Sequence, residues 1–196
     1  MEEKAITQFS IEELRQRRPD ARGIYSKGCF IVETSPTKKI VYGDLLNYPC
    51  RINAFFVSIS REGEGCISVN LNEHKIKGPC LFINTPNNIL KLPSSSSVHG
   101  CAIGFEESFA NELCLNLNIK GMLPLFLEVQ KNPVLEITHE ECDELIHIVH
   151  ELGREMNRPE SGFLHKEIIQ CYFSLLIARI GEIIHTRLKS KIEETN

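Results

Sequence analysis

The chain has 196 residues, 42% hydrophobic and 24% charged, enough apolar material for one sizeable domain with a packed core and too much for a disordered chain. A formal net charge of -4 leaves no basic field over the molecule, which argues against an autonomous nucleic-acid binder. Eight cysteines without a C-x-x-C pair, an N-terminus without an apolar leader and the expectation of no membrane-spanning stretch together read as a reducing, cytoplasmic setting in which the thiols serve as small core hydrophobes.

In chain order, Ser10-Ile11-Glu12-Glu13 places a capping serine three positions before an acidic residue and predicts a short leading helix ended by Pro19. Its arginines, Arg15, Arg17 and Arg18, stand beside Glu12 and Glu13 and read as a solvated face. From 23 to 105 short β-rich runs alternate with turn residues, with strands expected over 24–34, 52–60, 66–71, 81–84, 89–92 and 98–105 and a turn over Arg61-Glu62-Gly63-Glu64-Gly65. Such spacing predicts a sandwich or barrel.

After Phe105 the period lengthens. Phe109, Leu113 and Leu117 mark a helix over about 106–117, and Thr138-His139-Glu140-Glu141 caps a second that runs to about Asn157. The last helix, over about 162–189, carries two apolar rows: Ile169, Phe173, Leu176, Ile180 and Ile183 in one, and Leu164, Ile168, Cys171 and Leu175 in the other. One row suffices to seat a helix on a core, so the second needs a cover, either a partner or neighbouring helices of the same chain. The chain thus divides into a leading arm (1–22), a β-rich unit (23–105) and a helical unit (106–196).

The stretch Tyr48-Pro49-Cys50-Arg51-Ile52-Asn53-Ala54-Phe55-Phe56-Val57-Ser58-Ile59-Ser60-Arg61-Glu62-Gly63-Glu64-Gly65 resembles the first cupin motif. Asn72-Glu73-His74-Lys75-Ile76-Lys77-Gly78-Pro79-Cys80-Leu81-Phe82-Ile83-Asn84-Thr85-Pro86-Asn87-Asn88-Ile89 is similar to the second. The version they look like is that of the N-terminal sensor domains of AraC-type transcription regulators. The resemblance implies an α+β fold: a cupin-like double-stranded β-barrel, or jelly roll, followed by a helical subdomain whose long helix dimerises. It implies a small-molecule effector inside the barrel, and DNA contact only through a C-terminal helix-turn-helix domain that this chain, ending at Asn196, does not include.

The departures from the motif matter as much. Where a metal-binding cupin places histidines and a carboxylate, this chain has Cys50, Ile52, Phe56 and Leu90, which offer one thiol and no other lone pair, so neither metal nor cofactor is expected. Alternation along the first motif, with the family geometry, turns Ile52, Phe56 and Ser58 into the barrel; Leu90 and His99 complete the expected pocket. For the dimer seam the expectation is the row Ile169, Phe173, Leu176, Ile180 and Ile183, with charged residues at Phe173 and Ile180 giving monomers.

Enzymatic chemistry finds little support. No G-x-S-x-G elbow or phosphate-binding glycine loop occurs, and His147 with His150, three apart, lacks a third ligand. A metal-independent isomerase or epimerase would have to pair His99 with Tyr42 or Tyr48 as base and acid. The third reading is a purely structural dimerisation domain whose barrel is filled by its own side chains.

Overall fold

The computed structural model describes residues 6–17, 23–26, 28–34, 47–92, 97–113, 129–159 and 162–194. The elements in order are β1 (Thr7–Phe9), α1 (Ile11–Arg17), β2 (Gly23–Ser26), β3 (Cys29–Thr34), β4 (Cys50–Ile52), β5 (Phe55–Val69), β6 (Asn72–Lys77), β7 (Cys80–Asn84), β8 (Ile89–Lys91), β9 (Ser97–Phe105), α2 (Glu107–Leu113), β10 (Val134–Glu136), α3 (His139–Met156) and α4 (His165–Glu194). The fold is α+β, a curled, open sheet followed by helices.

Both capping boxes form as their residue types dictate. Ser10 Oγ accepts from the Glu13 amide at 3.2 Å, and the Glu13 carboxylate accepts from the Ser10 amide at 2.8 Å. Thr138 and Glu141 repeat the exchange at 3.1 and 2.7 Å. Each cap satisfies a first-turn N–H that has no partner within its helix.

All strands belong to one sheet, with hydrogen-bonded order β1-β4-β8-β5-β9-β3-β2, β6 and β7 along β5, and β10 on β7. The organising element is β5. The sequence reading expected two strands parted by a turn over Arg61 to Gly65; instead one 15-residue strand runs through those residues. Glu62, Gly63 and Glu64 stay paired to His99, Val98 and Ser97, and a register shift between Ser60 and Glu62 absorbs one extra residue. Gly63, at φ 100, accepts a backbone conformation that other residues resist. Locally Glu-Gly-Glu-Gly is turn chemistry, but a neighbouring strand holds it extended.

That bulge changes which side chains face which way. Before it, Phe56 shares a face with Ser58; after it, Ile67 and Val69 join the same cluster as Phe56, so the alternation has slipped by one residue. The bulge also bends β5. Asn84 pairs with Phe56 near one end of the strand, and Leu90 pairs with Val69 at the other. Asn84 and Leu90 are only six peptide units apart, a reach of ~22 Å, whereas 13 residues of straight strand would span ~43 Å. The two ends of β5 therefore curl towards each other.

Each face of the sheet buries its own core. On one, Ile31, Val57, Ile59, Leu81, Ile83, Cys101 and Ile103 pack against α2, α3 and α4. On the other, the inside of the curl, residues from distant strands meet: Phe9 of β1, Phe30 and Val32 of β3, Ile52 of β4, Phe82 of β7 and Leu90 of β8. Gly104 permits this packing, because a Cβ there would lie 2.1 Å from the Phe30 ring.

Further differences from the sequence reading concern short or local elements. The run 24–34 is a hairpin, β2–β3, turned at Gly28 with φ 74. β1, which pairs parallel to β4, β6, which pairs antiparallel to β5, and β10 lie outside the expected strands. The helix expected over 106–117 is described over Glu107–Leu113, and Leu117 lies outside the described residues.

One helix among the described residues, His165–Lys189, is long and apolar enough by length and composition to cross a membrane, against the expectation that no such stretch exists. Phe173, Leu176, Ile180 and Ile184 of that helix are buried in the chain's own core.

Candidate functional site

The inside of the curl carries an aromatic strip. Phe30 lies between Tyr25, at 6.1 Å between ring centroids, and Phe56, at 5.9 Å; Phe56 in turn meets Phe82 at 6.3 Å. These are ordinary aromatic contact distances that add to the burial of the rings. Among them Phe56 and Ser58 are only half-buried, although β5 is flanked at both positions by paired strands. Neither flank closes the sheet face above them.

At the rim stands a chain of amides whose orientation is fixed from one end. The Ile89 amide donates to Asn70 Oδ1 at 2.9 Å, which leaves Asn70 Nδ2 to donate to Asn88 Oδ1 at 2.9 Å. Asn88 Nδ2 then donates to Asn84 Oδ1 at 3.1 Å and lies 3.3 Å from Thr85 Oγ1. Gln130 Nε2 also donates to Thr85 Oγ1, at 3.3 Å. The relay ties the turn after β5 to the end of β7, holding the bend. Its last member, Asn84, is 0% exposed, and its Nδ2 has no acceptor among the described residues.

Of the five residues expected in the pocket, four gather on this face. Ile52 and Leu90 are buried in its core, Phe56 packs against that core, and Ser58 stands beside Phe82 in register. His99 does not join them. It is adjacent in sequence to Val98, which faces the inside of the curl, and is itself exposed, with Nδ1 3.9 Å from Glu62 Oε1. Asn84 was missed; the available signal was a lone amide ending the apolar run Leu81-Phe82-Ile83.

Cys50, at the position of a metal ligand in the resembled motif, is buried, and desolvation pushes its thiol up to about 11. The thiolate that would bind a metal is therefore scarce at neutral pH. Among the described residues no group of three or more His, Cys, Asp or Glu side chains is placed to hold a metal ion. Of the base and acid candidates of the enzyme reading, His99 stands beside Glu62 and Tyr48 is 74% exposed, and Tyr42 lies outside the described residues. His150 stands 3.4 Å from Glu33, and His147 is exposed on the same helix.

The second candidate surface is α4. Phe173, Leu176, Ile180 and Ile183 are buried in the chain's own core, and Ile169 packs against it. This row is covered by α2, α3 and the sheet, so it is not free to form a seam between two copies, and charges at Phe173 and Ile180 would break the core. The uncovered row is the other one: Leu164 is 52% exposed, Leu175 44% and Ile168 38%, with Cys171 exposed among them and Phe163 just ahead. Arg179 and Glu167 flank this row.

Neither a known protein-family model nor a curated protein matches the chain.

Proposed function

We propose that the chain is a small-molecule-sensing and dimerising module of the kind that forms the N-terminal half of AraC-type transcription regulators, a metal-free, non-enzymatic, cytoplasmic protein with a jelly-roll-like sheet. The observation that carries this reading is the division of labour on α4: one apolar row seats the helix on the sheet, and a second, Leu164, Ile168, Cys171 and Leu175, remains uncovered. An apolar row at helical spacing is what a helix-to-helix dimer contact requires. Because the covered row packs directly on the sheet, through contacts such as Phe173 against Phe105 at 5.0 Å, a ligand that rearranges the sheet also moves the helix that carries the seam.

The sensing half rests on the half-buried Phe56 and Ser58 on the inner face of the curl. The tight burial of Ile52 and Leu90 on that face favours a second reading, a structural dimerisation domain with a self-filled interior.

Sedimentation equilibrium tests the seam. The wild-type chain is expected at twice its 22.3 kDa, and the Ile168→Glu, Leu175→Glu double variant at 22.3 kDa with its circular dichroism unchanged. A wild-type monomer that instead binds lipid vesicles would overturn the reading and assign the row to a membrane surface.

A further inference from the structure

Within the chain, the best-defined unmet demand is the Asn84 amide. Its orientation is not free. Turning Asn84 over would set its Nδ2 against Asn88 Nδ2, donor against donor. Turning Asn88 as well would set Asn88 Nδ2 against Asn70 Nδ2, and Asn70 cannot turn without losing the Ile89 amide that donates to its Oδ1. The relay therefore delivers a spare N–H donor at a completely buried position. Buried donors are satisfied in folded proteins, and leaving one unmade is costly, so an orphan of fixed orientation points to an acceptor brought from outside the chain.

The surroundings define that acceptor. Asn84 follows Cys80 and Phe82 on the alternation of β7, and both of those side chains belong to the core inside the curl, so Asn84 faces the same side. Its cross-strand neighbour is Phe56, which joins the aromatic strip of Phe30 and Phe82 and is itself only half-buried. Among the described residues the buried polar or charged side chains are Ser60, Asn84, Thr85, Asn88 and Glu155, and the one charged member, Glu155, belongs to α3. No buried cation is present there to balance an anion, and charges taken out of water need a partner.

We infer that Asn84 Nδ2 is the hydrogen-bond donor for a bound neutral ligand, one that presents a carbonyl or hydroxyl oxygen from a compact apolar or aromatic body lying along Phe56 and Phe82. Binding sites of this type combine an apolar lining with a few fixed polar groups that set orientation. The inference rests on the sensing reading above and deepens it by naming the ligand's chemistry.

The test titrates the full chain with three probes of similar size: cyclohexanone, methylcyclohexane and cyclohexanecarboxylate. Backbone and side-chain amide resonances are followed by NMR, with the Asn84 pair assigned through the Asn84→Asp variant. Cyclohexanone is expected to shift the Asn84 Nδ2 resonances and to bind at least tenfold tighter than either other probe. In Asn84→Leu, which removes the donor, that preference over methylcyclohexane is expected to vanish. The wild-type titration stands on its own if the leucine variant does not fold. Equal affinity for cyclohexanone and methylcyclohexane, with shifts at Phe56 and Ser58 but none at Asn84, would overturn the role of Asn84 and leave a ligand site in place. Transfer of magnetisation from water to Asn84 Nδ2 that persists at saturating cyclohexanone would show an ordered water as the acceptor and overturn it also. Absence of any shift on this face would remove the sensing reading along with the inference.

Discussion

The two apolar rows of α4 have similar composition and spacing, and opposite fates. Ile169, Phe173, Leu176, Ile180 and Ile183 lie against the sheet and α3, whereas Leu164, Ile168, Cys171 and Leu175 face outwards. Helical periodicity states that a row will be covered; which body covers it depends on where the strands and the preceding helix lie. Aromatic contacts show the buried side well: Phe173 meets Phe105 at 5.0 Å and Phe109 at 5.3 Å, both edge to face. Leu175, on the other row, is 44% exposed.

The largest expected effect tests the buried row. Phe173→Asp removes a fully buried ring and leaves a carboxylate without a partner, a loss of about 5 kcal/mol or more and comparable to the stability of a whole domain. Circular dichroism should show an unfolded or molten chain; a folded monomer with native stability would restore this row to the dimer seam. The contrast with Leu175→Lys, expected within ~0.5 kcal/mol of wild type in urea unfolding of the monomer, is the comparison reduced to two substitutions.

An alkaline titration sharpens it next. Burial pushes the thiols of Cys142 and Cys101, both in the core under the helices, up from 9.0 to about 11 and about 12, and Cys29 is raised by the same cause. A pKa raised on folding means that the folded chain holds its proton where the unfolded chain has released it. The stability contributed is therefore complete below pH 9 and is lost as pH climbs through the folded values. Each such thiol adds a slope of about 1.4 kcal/mol per pH unit in that window, so urea midpoints should fall steeply from pH 9 to pH 11. In Cys142→Ala the slope should shrink by one thiol's share; an unchanged slope would mean that Cys142 ionises freely in the native state.

The smallest effect concerns Cys171, the exposed thiol in the uncovered row. If the row is a seam, Cys171 should react with a thiol reagent several-fold more slowly at protein concentrations where the dimer forms than on dilution. A rate independent of concentration places Cys171 outside the contact.

What was legible in the sequence was what residue types decide locally. Ser10 with Glu13 and Thr138 with Glu141 announced their helices because a cap is a four-residue event. The alternation of Ile52, Phe56 and Ser58 put them on one face because period two is a property of any strand, while that this face is the inner one came from the cupin resemblance. What was not legible depended on partners distant in sequence. The turn read at Arg61 to Gly65 is strand because β9 holds it, and the row of α4 expected as a seam is buried within the chain, a fate that spacing alone does not distinguish because both rows satisfy it. His99 was drawn into the pocket by its place at the start of a strand, but its side chain lies beside Glu62. Three-residue strands such as β1 and β10 carry too few residues to show a period.

The pairing of β3 with β9 also sets an order of events during synthesis. β5, β6 and β7 are neighbours along the chain and can meet as a long hairpin as soon as they exist. β3 cannot join the sheet so early, because Cys29 pairs with Phe105 and Thr34 with Gly100. Pairings of such large sequence separation are slow to form, since a long intervening loop must first be closed. The Phe30 ring then has no seat until Gly104 arrives. A chain halted before β9 therefore carries β2 and β3 as an unattached hairpin, with an apolar edge open to any other strand in reach.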